Sequence, residues 1–580
     1  MWIIEIVKKI SIILDKKQKR YVIILVALMF IGAVLEMLGV SLIIPLISAV
    51  IETNFLEKDG YIQDISELLG IETQRDFLII VMLLLIMFYI VKNVFLFVQY
   101  YVQAKYICDN KLVTKTRLLK CYLNKPYEYY FNANSGEILR EISTDATNTY
   151  NIFSQVLLLF TELIVVVALI ITVFIIDIML AVVFVVVLIV EMAVIYAFIK
   201  PVLRKAGERW TSATAISNKC ILQIIDGIKE IKVSQKELYF TQEYMQSAKI
   251  ASDSEKVNTA VSNVPRLLIE SITITVMLVL MIFLCLSGRD ITRLIPQFSA
   301  FVIAAVRLLP SVNRISASIN VITYNKPALD NLIKTFDDVR LDNKKRECVC
   351  DGEKKAIFES EIKMKNVSFC YPTSNKFVLQ NADMIIPAGS MVGIIGASGA
   401  GKTTVVDLLL GLLQQQDGKI LVDEQNIQFR KNSWLKNVGY IPQNIFLLGD
   451  TIRANVAFGE EETQISDEMI WSALQKAELD DFVKGLPQKL DTQVGEKGIC
   501  LSGGQKQRIG IARALYKNPS VLFFDEATSA LDNDTESSIM ESLNALRGSK
   551  TIIIIAHRLS TIEKCDLIYK VENQKIRLES

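Results

Sequence analysis

Long apolar runs fill the first part of the chain and stop near residue 325. Six of them, at 21–48, 77–103, 152–176, 178–199, 267–287 and 294–318, reach the ~20 residues that a helix needs to cross a bilayer. The pattern predicts six spanning helices over residues 1–324. From 359 to 580, short Val- and Ile-rich runs alternate with helical ones, as in a soluble α/β domain. The polar stretch 325–358 between them reads as a linker. A chain of 580 residues also exceeds what a single core supports.

Loop charges set the expected orientation. Residues 1–20 carry six Lys and Arg, 104–150 carry seven and 200–262 carry ten, whereas 51–76 hold only Lys58 and Arg75 among seven acids. Basic loops stay on the cytoplasmic side, so both termini and the α/β domain are expected in the cytoplasm, beneath a multi-pass domain of the inner membrane. The first twenty residues, whose charges interrupt the apolar positions, read as an amphipathic helix on the cytoplasmic membrane surface and not as a cleavable signal.

The two long inside segments have helical patterns that continue the membrane helices into the cytoplasm. Each breaks at its tip, the first around Pro126, Asn132 and Gly136, the second at Gly227. A short transverse helix or an ordinary helix-turn-helix fits either tip. In the outside loop, Ile62, Ile65, Leu68 and Leu69 suit one face of a short surface helix; a loose acidic loop fits equally.

Charge and cysteine usage narrow the function classes. With 63 Lys and Arg against 62 Asp and Glu, there is no overall basic field to attract nucleic acid. The nine cysteines are scattered without framework spacing, and the lone Cys348-Cys350 pair lacks the partners of a metal site.

Chemistry concentrates in the second domain. In "MVGIIGASGAGKTTVVDLLLGLL" an apolar strand runs into Gly396, Ala397, Ser398, Gly399, Ala400, Gly401, Lys402, Thr403 and Thr404, and a helix follows. Glycines there let backbone N–H groups close on phosphate oxygens, Lys402 reaches the β and γ phosphates of ATP, and Thr403 offers an oxygen to Mg²⁺. A second apolar strand, "SVLFFDEATSALD", delivers Asp525 for Mg²⁺ and Glu526 for polarising the attacking water. Between them, "LSGGQKQRIGIARAL" exposes backbone N–H groups at Ser502, Gly503 and Gly504 where a helix begins. Two such helix ends are hard to aim at one γ-phosphate within a single copy, which suggests that a second copy supplies one of them.

The phosphate loop, "YIPQN" with Gln443, "LSGGQ", "FFDEATSALD" and "AHRLST", in this order, resemble the ATP-binding cassette ATPases over 359–580. Six membrane helices fused ahead of one cassette resemble the ABC exporter half-transporters over the whole chain. The resemblance implies a type IV, exporter-type helical membrane domain plus a P-loop α/β cassette, and a homodimer closing head to tail with ATP between Lys402 of one copy and Ser502, Gly503, Gly504 and Gln505 of the other. It also implies that Tyr371 stacks on adenine, that Gln443 couples Mg²⁺ to the membrane helices and that Asp532 bridges the cassettes. His557, the only histidine, would hold the γ-phosphate, emerging at the end of a buried strand of four isoleucines. All ATP-site motifs are intact, which favours two competent sites over a heterodimer with one degenerate site.

Lys92, Arg266, Arg307 and Arg314 lie within or beside apolar helices, where a lipid-facing cation costs about 2.5–3.5 kcal/mol. A water-filled cavity removes that cost. Lys92 and Arg307 lie toward the inner leaflet, and Arg307 and Arg314, seven residues apart, share a helix face. Together they are expected to form a basic belt for an anionic head group, although snorkelling accounts equally for Arg266 and Arg314. "FYIVKNVF", "NVPRLLIES", "AAVRLLPSVNRI" and "EMLGVSLIIPLI" resemble segments of the Pgl-type flippases of lipid-linked oligosaccharides. There basic residues receive the pyrophosphate, and the segment matching 61–70 forms an external helix. Lys92 stands where that family has arginine, which keeps charge and loses bidentate pairing. The expected activity is ATP-driven movement of a polyprenyl-pyrophosphate-linked sugar to the outer leaflet. Export of a drug, another glycolipid or a peptide, and an ATP-gated channel or regulator, are the alternatives.

Overall fold

The computed structural model describes residues 2–41, 74–176, 178–286, 291–346, 358–372, 374, 376–525, 541, 543–555 and 562–579. The expected external helix at 61–70 and the Cys348-Cys350 pair lie outside them. Two compact units result. One holds residues 1–125 and 132–342; the other holds 343–580 together with Pro126–Phe131.

The first unit is helical: α1 (Trp2–Ile13), α2 (Lys16–Ser41), α3 (Gln74–Leu123), α4 (Ser135–Arg140), α5 (Ala146–Ile176), α6 (Ile178–Asp226), α7 (Ile228–Ser234), α8 (Glu237–Leu286) and α9 (Ile291–Arg346). As far as the described residues extend, each of the six expected spans falls on a long helix; residues 42–48 and 287 lie outside them. Among the described residues, Lys16–Glu36, Leu78–Leu123 and Ser135–Ile171 are long and apolar enough to cross a membrane. The 50 residues of α3 correspond to about 75 Å, against a hydrocarbon core of ~30 Å, so much of the helix continues into water. Among the described residues, Leu83, Met87 and Phe97 of this helix are 60%, 65% and 70% exposed, an arrangement that suits lipid.

Two details refine the sequence reading. Helix α1 does not merely rest on a surface: Ile6, Ile10 and Ile13 are buried in one cluster with Leu118, Ile322 and Leu332, while Ile3, Ile4 and Val7 stay exposed. The segment read as linker from 325 is helical as far as Arg346. Its buried Leu329, Leu332 and Phe336 fall at helical spacing, so that stretch belongs to the helical core. Both breaks at the inside tips are present, the first as a 3-10 turn at Tyr127–Phe131, the second as α7 after Gly227.

Helices α6 and α9 approach closely enough that a Cβ on Gly207 would stand 2.0 Å from the carbonyl oxygen of Tyr324. The obstacle is backbone and cannot rotate aside. Gly207→Ala is expected to force these helices apart at a cost of about 1–3 kcal/mol, seen as a lowered melting temperature of the purified protein.

The second unit contains a four-stranded antiparallel sheet, β2 (Phe377–Pro387), β1 (Glu361–Cys370), β4 (Asp417–Val422) and β5 (Gln425–Asn426), and a six-stranded one. The latter runs β10 (Lys575–Leu578), β9 (Leu567–Glu572), β3 (Met391–Ile395), β8 (Thr551–Ile555), β7 (Val521–Asp525), β6 (Val438–Ile441). From β9 to β6 all pairings are parallel. Burial on both faces explains the isoleucine run: Ile552 and Ile554 enter one core and Ile553 and Ile555 the other.

Candidate ATP site and membrane charges

Register places the site before any side chain is considered. Ile394 pairs with Ile555, and Asp525 pairs with Ile555 from the other side, so β3, β8 and β7 end along one edge of the sheet. Parallel sheets present ligand sites at that carboxyl edge. The phosphate loop leaves β3 there. Asp525 closes β7, Glu526 follows it directly, and His557 comes two residues after β8; Glu526, Asp532 and His557 are outside the described residues.

The loop is shaped by glycine where glycine is required. Gly396 has φ +153° and a Cβ on it would lie 2.5 Å from the carbonyl oxygen of Val571; Gly401, at φ +105°, would meet Val378 at 2.8 Å. Helix α10 (Lys402–Leu409) begins at once behind it, with Gly401 as N-cap. Lys402 is buried, and its Nζ donates to the carbonyl oxygens of Gly396 and Ala397 at 3.0 and 3.1 Å. The loop is thus already curled about its own lysine, as a phosphate cradle needs. Ala397, Ser398, Gly399 and Thr403 are exposed, Ala400 is half-buried and Thr404 is buried. The Thr404 Oγ1 and the Tyr371 hydroxyl share a 2.9 Å hydrogen bond, which ties the expected adenine-stacking ring to the same helix.

Two further groups at this edge escaped the sequence reading. Tyr440, on β6 three residues before the exposed Gln443, donates its hydroxyl to Asp525 Oδ2 at 3.4 Å. Burial and the carboxylates of Asp525 and Asp407 hold the Tyr440 phenol above its usual range. Asp407, an acid inside the otherwise apolar "VVDLLLGLL", has its carboxyl pushed up to about 6 by burial and then by the charge of Asp525. That lone acid was the available signal.

The signature helix α11 (Gly503–Tyr516) starts with a capping box: the Gln505 amide N–H donates to Ser502 Oγ and the Ser502 N–H to Gln505 Oε1. Ser502 and Gln505 therefore hold each other and fix the first turn. Ser502 and Gly503 are exposed, Gly504 half-buried. A Cβ on Gly503 would meet nothing within 4 Å, so nothing inside this unit requires a glycine there.

Comparison with known proteins agrees with this geometry. Residues 22–250 match the ABC transporter transmembrane region, and residues 379–529 match the ABC transporter family. An ATP-dependent lipid A-core flippase of Wigglesworthia glossinidia brevipalpis is 30% identical over 482 residues, 81% of this chain and 80% of that protein. This chain belongs to the ABC transporters. An ATP-dependent lipid A-core flippase of Photorhabdus laumondii is 38% identical to the transporter over 306 residues, 49% of this chain; the chain spans about half, 52%, of that relative's length. A solved bacterial Atm1-family ABC exporter with ATP bound shares the fold, with a TM-score of 0.78, 98% of this chain and 95% of that one covered, and 23% identity. The transporter is therefore a helical membrane region fused to a C-terminal ATP-binding cassette, the layout of a half-transporter.

The transporter's expected belt residues lie in different settings. Lys92 on α3 is half-buried; its Nζ sits 4.5 Å from the centre of the Tyr89 ring, and its stem is near Gly39 of α2. Arg266, after Pro265 in α8, is exposed. Arg307 belongs to α9, but its side chain is outside the described residues. Arg314 carries a partner that the sequence reading did not foresee. Its Nε and Nη2 donate to Glu162 Oε1 and Oε2 of α5 at 2.5 and 3.1 Å, with the arginine side chain 45% exposed and the glutamate 7%. One of the expected belt cations is thus neutralised by an internal carboxylate, and a bidentate pair holds Arg314 in one orientation.

Proposed function

We infer that two copies of this chain use ATP hydrolysis to carry an anionic glycolipid from the cytoplasmic to the outer leaflet of the inner membrane, with the cassette and both termini in the cytoplasm. The nucleotide half of this reading is supported by the curled phosphate loop, with Lys402 folded over its carbonyls. ATP lies with its phosphates on residues 396–404 and its base on Tyr371. The buried carboxylate of Asp525 and the exposed hydroxyl of Thr403 form an oxygen donor set that suits Mg²⁺, joined by Gln443. The ion, when bound, offsets charge on the β and γ phosphate oxygens. Glu526 orients the attacking water, and His557 steadies the γ-phosphate.

The open space before Gly503 supports a homodimer: a bare helix N-terminus suits close approach by a nucleotide held on the other copy. Ser502, Gly504 and Gln505 then complete the second half of each site, and Asp532 spans the two cassettes.

For the cargo, the carrying observation is the half-exposed Arg314 gripped by Glu162 in a domain that also holds Lys92, Arg266 and Arg307. Cations kept among apolar helices suit a head group with negative charge, and the Pgl-type resemblance favours a pyrophosphate-linked oligosaccharide on a polyprenyl chain. The relatives named as lipid A-core flippases favour the same broader class, a phosphorylated glycolipid. Reconstitution into liposomes tests it: a polyprenyl-pyrophosphate-linked sugar is expected to stimulate ATPase and to become accessible on the far leaflet. Stimulation and movement with phosphorylated lipid A but not with the polyprenyl substrate would reassign the cargo. Neither, together with ATP-dependent current, would favour the channel reading.

A further inference from the structure

The six residues Pro126–Phe131 belong to the same compact unit as the cassette, although in sequence they join α3 to α4. They are fastened by their turn: the Gln414 N–H donates to Glu128 Oε1 at 2.9 Å. The aromatic rings of this turn continue into the nucleotide site. Tyr127 and Phe131 stand edge to face at 5.2 Å and 77°, Phe131 and Tyr371 at 5.5 Å and 72°, and Tyr371 and Phe369 at 5.1 Å and 82°. The ring of Tyr371 is thus steadied by two neighbours, while its hydroxyl is pinned to Thr404. Phe369 is buried, but Tyr127 and Phe131 are each 42% exposed. That is far more open than the tightly packed apolar core of this unit, and it leaves aromatic surface beside the base-stacking ring.

We propose that Phe131 is a positioning residue for nucleotide-base recognition: it fixes the plane of Tyr371, so that affinity for the base, and not the hydrolytic step, depends on it. The proposal rests on the reading of Tyr371 as the stacking ring. Two rings standing edge to face restrict the tilt of the Tyr371 ring, which is itself only half-buried. Phe131 does not lie on the phosphate loop and holds no group that acts on phosphate. Its removal should therefore be felt in the binding of the base alone.

Steady-state ATPase of the full-length protein separates the possibilities. Phe131→Ala is expected to raise KM for ATP roughly two- to ten-fold, the range of an edge-to-face aromatic pair, while leaving kcat within about two-fold. Inhibition by ribose 5-triphosphate, which has no base, should not change, and Phe131→Tyr should restore KM. Phe131→Leu, which keeps most of the volume, gives the same reading if the alanine variant does not fold. The proposal is overturned if KM is unchanged, if ATP and the base-free triphosphate weaken equally, or if kcat falls alone. Tyr371→Ala reports on the stacking by itself. Should it raise KM while Phe131→Ala does not, stacking stands and the role of Phe131 falls; should neither, both fall.

Discussion

Glu526→Gln is expected to lower ATP hydrolysis by about 10²–10⁴-fold, the usual contribution of a positioned general base, while ATP remains bound. Buried β7 ends at Asp525, the residue directly before it in sequence, and β8 and β3 end at the same sheet edge, where the phosphate loop begins; the role proposed for Glu526 rests on that sequence position. Glutamine keeps the size and loses the charge. Nothing in the loop or in the Tyr371–Thr404 contact is touched, so binding persists and the product-forming step stalls. On the proposed two-copy site, the stalled state is expected to be a closed pair. Phosphate release, retained radiolabelled ATP and an ATP-dependent shift to a compact dimer on cross-linking are the measurements. Near-wild-type phosphate release would remove Glu526 from its role, and ATP retention without any pairing would remove the second copy from the site.

The other large effect concerns the pair Arg314–Glu162. Glu162→Ala leaves Arg314 without its carboxylate partner, holding the Ser311 hydroxyl at 3.3 Å, and Arg314→Glu puts two carboxylates in contact. Each is expected to cost about 3 kcal/mol, the low end for a broken buried pair, because Arg314 is half-exposed while Glu162 is buried. The swapped double variant, Glu162→Arg with Arg314→Glu, restores opposite charges and should recover most of the lost thermal stability. It should not recover cargo-stimulated ATPase, since the cation now emerges from α5 and not from α9. Full recovery of transport would mean that the pair is a structural brace only, and the anionic head group would then depend on Lys92, Arg266 and Arg307.

What was legible in the sequence follows the strength of the local pattern. Apolar runs of spanning length and the glycine-lysine loop announce themselves because each needs a composition that few other structures tolerate. The extension of α9 to Arg346 was hidden because its apolar positions are few: among the described side chains, Ala328, Leu329, Leu332 and Phe336 are buried and Ile333 packs against the same core. The buried cluster in which Arg140 pairs with Asp145, and Glu141 accepts from Tyr122 and Thr335, joins residues up to 194 positions apart. No window of sequence contains it. The same holds for Glu162: a single acid in an apolar helix is visible, but its partner 152 residues away is not. Asp407 and Tyr440 matter through strand order, which adjoins segments that the chain keeps far apart.

The seam between the two units does not follow the chain. A protein cut at Asn343 to yield a free-standing ATPase would leave behind Pro126–Phe131, uncovering the edge of Tyr371 and the amide of Gln414. Such a fragment gains a wet aromatic scar at the nucleotide mouth, and its measured ATP affinity would understate that of the intact machine. Adding the hexapeptide back as a synthetic turn is the natural remedy.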